Sequence, residues 1–336
     1  MWSVKNKMAE KLEGSVEAHV KQQTGQMPEA DLFVLAGGDR EDQERTGYSN
    51  YSYWHSTLQA FGKNRVAVFL VFVIAGILLF TFIQPLLPGQ YDPNMVNNDP
   101  SGMQYRNVPP GSQFWFGTNS IGQDLWARIW AGTRNSLFIG FAVAGIEAFV
   151  GIVAGVLWGY VRKLDALFTE IYNVLDNIPQ TIVLILISYI LKPGVKTLIF
   201  AMCLTGWIQM ARFIRNQVLM LRDREYNLAS RCVGTPTRKV VVRNLLPYLV
   251  SVIMLRMALS IPGAIGSEVF VTYIGLGLPL NIPSLGNLIN EGRALMMSAT
   301  LRYQLLFPTI IVSVVTISFY IIGNAFSDAA DPKNHV

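Results

Sequence analysis

Residues 66–87 read VAVFLVFVIAGILLFTFIQPLL, without one charged side chain. A helix needs about 20 apolar residues to cross a hydrocarbon layer about 30 Å thick. Inside that layer the backbone must bond to itself, as a helix does. Further apolar runs follow at Leu137–Val161, roughly Leu164–Leu191, roughly Thr197–Leu221, Tyr248 to about Tyr273, and Leu305–Phe326. The expectation is an all-α polytopic membrane protein with about six transmembrane helices. Over the 336 residues, 51% are hydrophobic and 15% charged, which is too apolar for a soluble globular chain.

Charge placement then argues for a bilayer and against nucleic acid, although the net charge is +5. Lys63, Arg65, Arg162 and Lys163 flank apolar runs, and Arg222, Arg224, Arg231, Arg238, Lys239 and Arg243 gather between the fourth and fifth runs. The positive-inside rule puts all of these in the cytoplasm, with both termini. The opposite face receives Pro88–Arg134, the turn Lys192–Lys196, and Gly275–Gln304. The division is a cytoplasmic N-terminal region (1–65), a first transmembrane helix (66–87), and an extracellular loop (88–134). A core of five helices (135–336) follows and contains the cytoplasmic basic segment 221–247. The first residues lack a short apolar core with a small-residue cleavage site, so no removed signal peptide is expected. Region 1–65 reads as a polar extension with interfacial aromatics (YSNYSYWH, ending at His55) or as a docking element. His19, His55 and His335 read as solvated surface. Cys203 lies in an apolar run and Cys232 in the basic segment, so no mutual disulfide is expected.

In the outer loop, Asp124 and Arg128 stand one helical turn apart, as do Trp126 and Trp130. That pattern predicts an amphipathic helix lying on the outer interface, and Pro283–Met296 is a second candidate. Simple interfacial packing is the alternative for both. In the second span Gly151, Gly155 and Gly159 recur every four residues, a signature of close helix packing. The third span differs. Thr169, Tyr172, Asn173, Asp176 and Gln180 share one face, and Pro179 withdraws a backbone hydrogen bond. Asn173, Asp176 and Gln180 therefore read either as the wall of a solvated conduit or as a partly cytoplasmic stretch. Glu268, near the outer end of the fifth span, reads as an outer gate or as the partner of an arginine, and Glu147 is a similar candidate.

The chain carries no GxxxxGK[ST] phosphate cradle, HExxH, Cys/His metal spacing or G-x-S-x-G elbow, so no catalysis, metal or bound cofactor is expected. A multispan protein with a polar stripe and no chemistry of its own suggests transport. Energy then comes from a gradient or a partner. A gradient-driven carrier would favour paired inverted repeats, and none is evident. A membrane anchor for a signalling receptor is a third reading.

The segment LASRCVGTPTRKVVVRNLLP, Leu228–Pro247, has four basic residues and no acidic one. Its spacing resembles the EAA loop of ABC importer permeases (EAA, three residues, G, nine residues, I-x-LP). Ala229, Gly234, Leu246 and Pro247 match, while Leu228 stands for Glu, Ser230 for Ala and Asn244 for Ile. FGTNSIGQDLWARIWAGTRNSL is similar to the "FGTD-x-x-GRD-x-x-SR-x-x-x-GAR-x-SL" segment of peptide and nickel permeases. LTGWIQMARFIRNQVLMLRDREYNLASRCVG resembles the family's "TGW-x-x-YAR-x-VR" region. EVFVTYIGLGLPLNIPSLGNLI is similar to "E-x-x-LSFLGLG…P-x-WG-x-x-I", with Leu285 in place of Trp, and DAADPK resembles the "LRDALDPR" tail. The resemblance covers roughly Tyr53–His335 and is nearest the C-type permease of oligopeptide and dipeptide importers.

That resemblance implies an ABC type I importer permease fold in a bacterial plasma membrane. It implies a coupling helix over about Asn227–Gly234 that inserts into an ATPase subunit. Asn227, Leu228, Ala229, Ser230, Arg231, Gly234, Arg238, Lys239, Arg243 and Pro247 become the ATPase-coupling residues. The basic groups among them would meet acidic residues of the partner or anionic lipid headgroups, or act only as topology signals. The implied partners are a homologous second permease, two ATP-binding cassette ATPases, a lipid-anchored or periplasmic peptide-binding protein and an oligopeptide. ATP and Mg would bind in the ATPases and not in this chain. Dipeptides or nickel are the alternative cargo.

Overall fold

The computed structural model describes residues 53–330. The readings on residues 1–52, on His19, on His335 and on the last residues of the DAADPK tail lie outside that range. The described residues from Trp54 onward belong to one compact unit, which is helical with two isolated β-bridges, Asn98 with Gln104 and Thr118 with Asp124.

Helix α1 is Tyr53–Lys63 and α2 is Arg65–Ile83. Asn64 separates them and caps α2, its side-chain oxygen accepting from the Ala67 N–H at 3.1 Å. An irregular stretch then leads to α3, Leu125–Tyr160. Val161 breaks the chain before α4, Arg162–Asp176, and α5 follows over Gln180–Ile190. The long α6 is Val195–Arg222. Short α7 (Glu225–Cys232) and α8 (Thr237–Val240) carry the basic segment, and a π-helical turn at Val241–Leu245 leads into α9, Leu246–Tyr273. Helix α10 is Leu285–Arg293 and α11 is Tyr303–Ala330.

Among the described residues, five helices are long and apolar enough to span a membrane: 65–86, 125–160, 195–222, 252–273 and 303–330. The α4/α5 pair passes the same test jointly but is bent by 76°. The expected third span is thus two helices bent at a corner, not one continuous helix. Pro179 supplies no N–H and caps α5 with extended backbone (ψ 122°), so Asn177–Pro179 is a corner and not a mild kink.

The core is built on α3. Its glycines meet α6 directly: a Cβ on Gly155 would lie 2.5 Å from the Ala211 carbonyl oxygen, and one on Gly151 2.5 Å from the Met210 Cβ. Gly159 faces Val218 in the same way, at 2.9 Å. Only glycine lets two backbones approach this far, and lipid offers no hydrophobic drive to replace that contact. Buried Met210, Ile214 and Val218 of α6 continue the seam to Leu245 of the π-helical turn and to Leu249 and Ile253 of α9. Helix α11 packs against α9, α10 and α2.

The expected interfacial helix around Trp126 is a correction. These residues are the first turns of α3, capped by Asp124 through the Ala127 N–H at 2.9 Å. Arg128 is 1% exposed and is bonded to Gln123 and Glu291 (2.8 Å to the latter), not to Asp124. Trp126 packs edge-on against Trp115, Phe116, Trp130 and Phe80. A buried guanidinium needs a paired carboxylate, and the one it found is on α10. The second expected interfacial helix is α10 itself, with Leu285, Gly286, Asn287 and Leu288 buried.

Candidate functional site

Two regions collect polar groups: a cavity inside the bundle, and the end of the molecule that carries the basic residues.

The cavity has a volume of about 210 Å³ and lies between α3, α5, α6 and α9. Its polar lining is Glu147, Gln180, Gln209, Ser260 and Ser267, beside Gly206 and Gly263. Glu147 reaches across from α3 and accepts from the Ser260 hydroxyl of α9 at 2.7 Å. Room for its carboxylate exists because residue 206 is glycine: a Cβ there would lie 1.7 Å from Glu147 Oε1. A second cavity of about 150 Å³ adjoins the first, sharing Gln180, Gly206 and Gln209 and adding Asp176 and Pro179. Asp176 is held by Tyr172 and Gln209, with the Arg212 guanidinium 4.0 Å away and stacked 4.7 Å from the Tyr172 ring centroid. Toward the basic end, Arg215 binds Asp165 at 2.7 Å and lies over the Trp158 ring.

The predicted pathway residues separate here. Gln180 and Asp176 line these cavities, whereas Asn173 is exposed and only its carbonyl is engaged, by the Asn177 amide. Glu268 lines none of the described cavities and has no arginine beside it. It is fully buried, accepting from the hydroxyls of Ser284 (2.7 Å), Ser136 (3.1 Å) and Thr272 (3.2 Å). That makes Glu268 a tie between α3, α9 and the start of α10, bonded to three hydroxyls and not to an arginine. Nothing local in the sequence distinguishes a carboxylate facing three hydroxyls, as Glu268 does, from one facing a cavity, as Glu147 does. The Gly206–Glu147 pairing is likewise unreadable from spacing, since the two are on different helices.

At the basic end, α7 stops in a left-handed cap. Gly234 has φ +84°, its N–H donates to the Arg231 carbonyl at 2.9 Å, and the Thr235 N–H donates to the Ser230 carbonyl at 3.0 Å. This is the Schellman pattern, in which a glycine at the left-handed position ends the helix. Asn227 is buried. Its amide donates to the Leu221 carbonyl at 2.8 Å and its oxygen accepts from Asn244 at 3.1 Å, fastening α7 to α6 and to the π-helical turn. Arg231 is turned inward on Asp223, the Arg222 carbonyl and the Tyr160 ring. The Arg222 guanidinium, bonded at 3.1 Å, is the main reason the Asp223 carboxyl titrates below its usual range. Facing outward are Leu228, Ala229, Arg238, Lys239 and Arg243, with Val233 86% exposed at the tip. Pro247 opens α9 in its first turn. An open groove of about 610 Å³ runs beside α7, lined by Leu221, Asp223, Arg224, Glu225, Tyr226 and Tyr248.

The sequence profile of the family described as binding-protein-dependent transport system inner membrane component matches residues 151–336. The chain belongs to that family. Residues 52–110 of this permease also match the N-terminal transmembrane domain of oligopeptide transport permease C. The permease is 39% identical over 287 residues to the oligopeptide transport system permease protein AmiD of Streptococcus pneumoniae, covering 85% of this chain and 91% of the relative. It is 33% identical to the dipeptide transport system permease protein DppC of Bacillus subtilis (93% and 95% covered) and 32% identical to OppC of the same organism (90% and 97%). A solved structure of the MetNI methionine ABC transporter, in an inward-facing conformation, aligns with 60% of the permease and 96% of its own chain, at 20% identity and a TM-score of 0.48. The protein is a transmembrane permease subunit of an ABC importer in the plasma membrane, which by family pairs with a second permease and with ATPase subunits.

Proposed function

We propose that this permease forms half of the translocation pathway of an ATP-driven oligopeptide importer, fed by an extracellular peptide-binding protein. The observation that carries the reading is the 39% identity to an oligopeptide permease across nearly the whole of both chains. ATP and Mg are bound by the ATPases. The basic end faces the cytoplasm, as do both termini, and the outward side chains of α7, α8 and the following turn meet an ATPase. Approach of two ATPase domains pushes this end, and the helices reorient between two states.

A dipeptide cargo is the second reading, favoured by the 33% identity to a dipeptide permease. Uptake of labelled penta- and dipeptides into cells lacking and re-expressing this subunit tests both. The proposal expects pentapeptide uptake that requires the subunit, fails on ATP depletion and survives collapse of the proton gradient. Uptake confined to the dipeptide decides for the second reading. Uptake abolished by gradient collapse at normal ATP overturns both.

A further inference from the structure

Glu147 and Glu268 lie within the spanning helices α3 and α9, and they are bonded very differently. Glu268 has three hydroxyl donors and no access to a cavity. Glu147 has one, the Ser260 hydroxyl on Oε2, and lines the 210 Å³ cavity. Its Oε1 lies over Gly206, whose lack of a side chain keeps that space open. No Lys, Arg or His pairs with Glu147 among the described residues. Thirteen residues separate Glu147 from Tyr160 at the basic end of α3, about 20 Å along the axis, which places it deep in the hydrocarbon layer. A carboxylate at that depth carries a cost of several kcal/mol unless a cation or further donors meet it.

We propose that Glu147 is a binding subsite for a cationic nitrogen of the cargo, the α-ammonium of a peptide as it passes. The assignment rests on the peptide-import reading. The cavity suits an ammonium. It offers one carboxylate with unused acceptor capacity, while Gln180, Gln209 and Ser267 supply neutral donors and acceptors for the adjoining amide groups. No cluster of three His, Cys, Asp or Glu side chains lies among the described residues, so the donor set does not match a metal ion. An ammonium–carboxylate hydrogen bond is charge-assisted and is strengthened by the low dielectric around it.

The test uses the complete importer with its binding protein in proteoliposomes. Uptake of an alanine pentapeptide with a free amino end is compared with that of its N-acetylated form, for wild type and Glu147→Gln, normalised to inserted protein. One charge-assisted bond is worth about 1.5–3 kcal/mol, so the free-to-acetylated uptake ratio should fall at least tenfold in the variant. An equal fall for both peptides, or no fall, overturns the subsite. If the wild type carries only the free-amine form, a second measurement decides. Dicyclohexylcarbodiimide labelling during turnover, read by mass spectrometry, should modify Glu147 and be blocked by the free-amine pentapeptide but not by the acetylated one. No label on Glu147, or equal protection by both, overturns it. A wild-type complex that carries neither peptide refutes the peptide reading, which is a separate failure.

Discussion

Asp124 shows how a residue's surroundings set its chemistry. It caps α3, is 3% exposed, and burial raises its carboxyl from 3.8 to about 6. A raised acid pKa means the folded state holds the proton more tightly than the unfolded one. Its contribution to stability therefore falls as pH rises from about 4 to about 6 and is level above that. Asp124→Asn keeps an oxygen for the Ala127 N–H but cannot titrate. The melting temperature of the purified variant, minus that of wild type, should rise across this window and then stay constant; a flat difference from pH 4 to 8 would contradict the buried cap. Asp124, Glu147 and Glu268 were all visible in the sequence as acids near or within apolar runs. Their differences were not, because each depends on donors contributed by distant helices. The same holds for Ser230 and Asn244, the two departures from the EAA pattern that face each other at 3.4 Å, with Asn244 also on Asn227.

Helices α3 and α6 show which part of an element pattern can be read directly. The four-residue glycine repeat pointed to a close helix contact, and the contact is there, against Met210, Ala211 and Val218. Its partner helix could not be read, since small residues announce proximity but not to whom. Gly155→Ala would drive a methyl against the Ala211 carbonyl and should cost about 1–3 kcal/mol of stability. Gly145→Ala on the same helix meets nothing within 4 Å and should be neutral or slightly stabilising. Thermal melting and yield of the two variants in detergent give the comparison, and equal behaviour would refute the seam. The α4/α5 corner was half legible. Pro179 signalled a break, but 76° exceeds a proline kink because Asn177 and Ile178 also leave the helix. The start of α3 was misread because an Asp–Arg pair one turn apart looks like a surface pair, whereas Arg128 is committed to Glu291, 163 residues away.

For the whole molecule, hydropathy and basic flanks were sufficient to place the five continuous spans among the described residues and the polar end, since both are properties of local composition. The cavity was not legible, being assembled from four helices. The proposed coupling role gives a prediction that separates surface from core. Gly234 sits at φ +84° with open space around it, and its neighbour Val233 is exposed. Gly234→Trp should leave membrane abundance near wild type while peptide uptake and co-purified ATPase drop by about tenfold, because the left-handed cap disfavours any side chain. Unchanged uptake would sink the coupling assignment. In parallel, exposed Cys232 should react with an impermeant thiol reagent only after cells are permeabilised; labelling in intact cells would reverse the orientation.

Helix α6 runs unbroken from the cavity wall at Gly206 to Arg222, where Leu221 receives the Asn227 amide of α7. Sixteen residues make a rod about 24 Å long. Clamped along α3 by its glycine seam, the rod moves only with its neighbour, so the pair behaves as one stiff beam. A tilt of about 5° over that length is about 2 Å of travel at one end. Glu147 of α3 and Gly206 of α6 ride on the same beam, so a displacement of that order shifts them together against Ser260 and Ser267 of α9 across the cavity. On the proposed coupling and cargo roles, the width of that cavity follows how far the distant end is pushed.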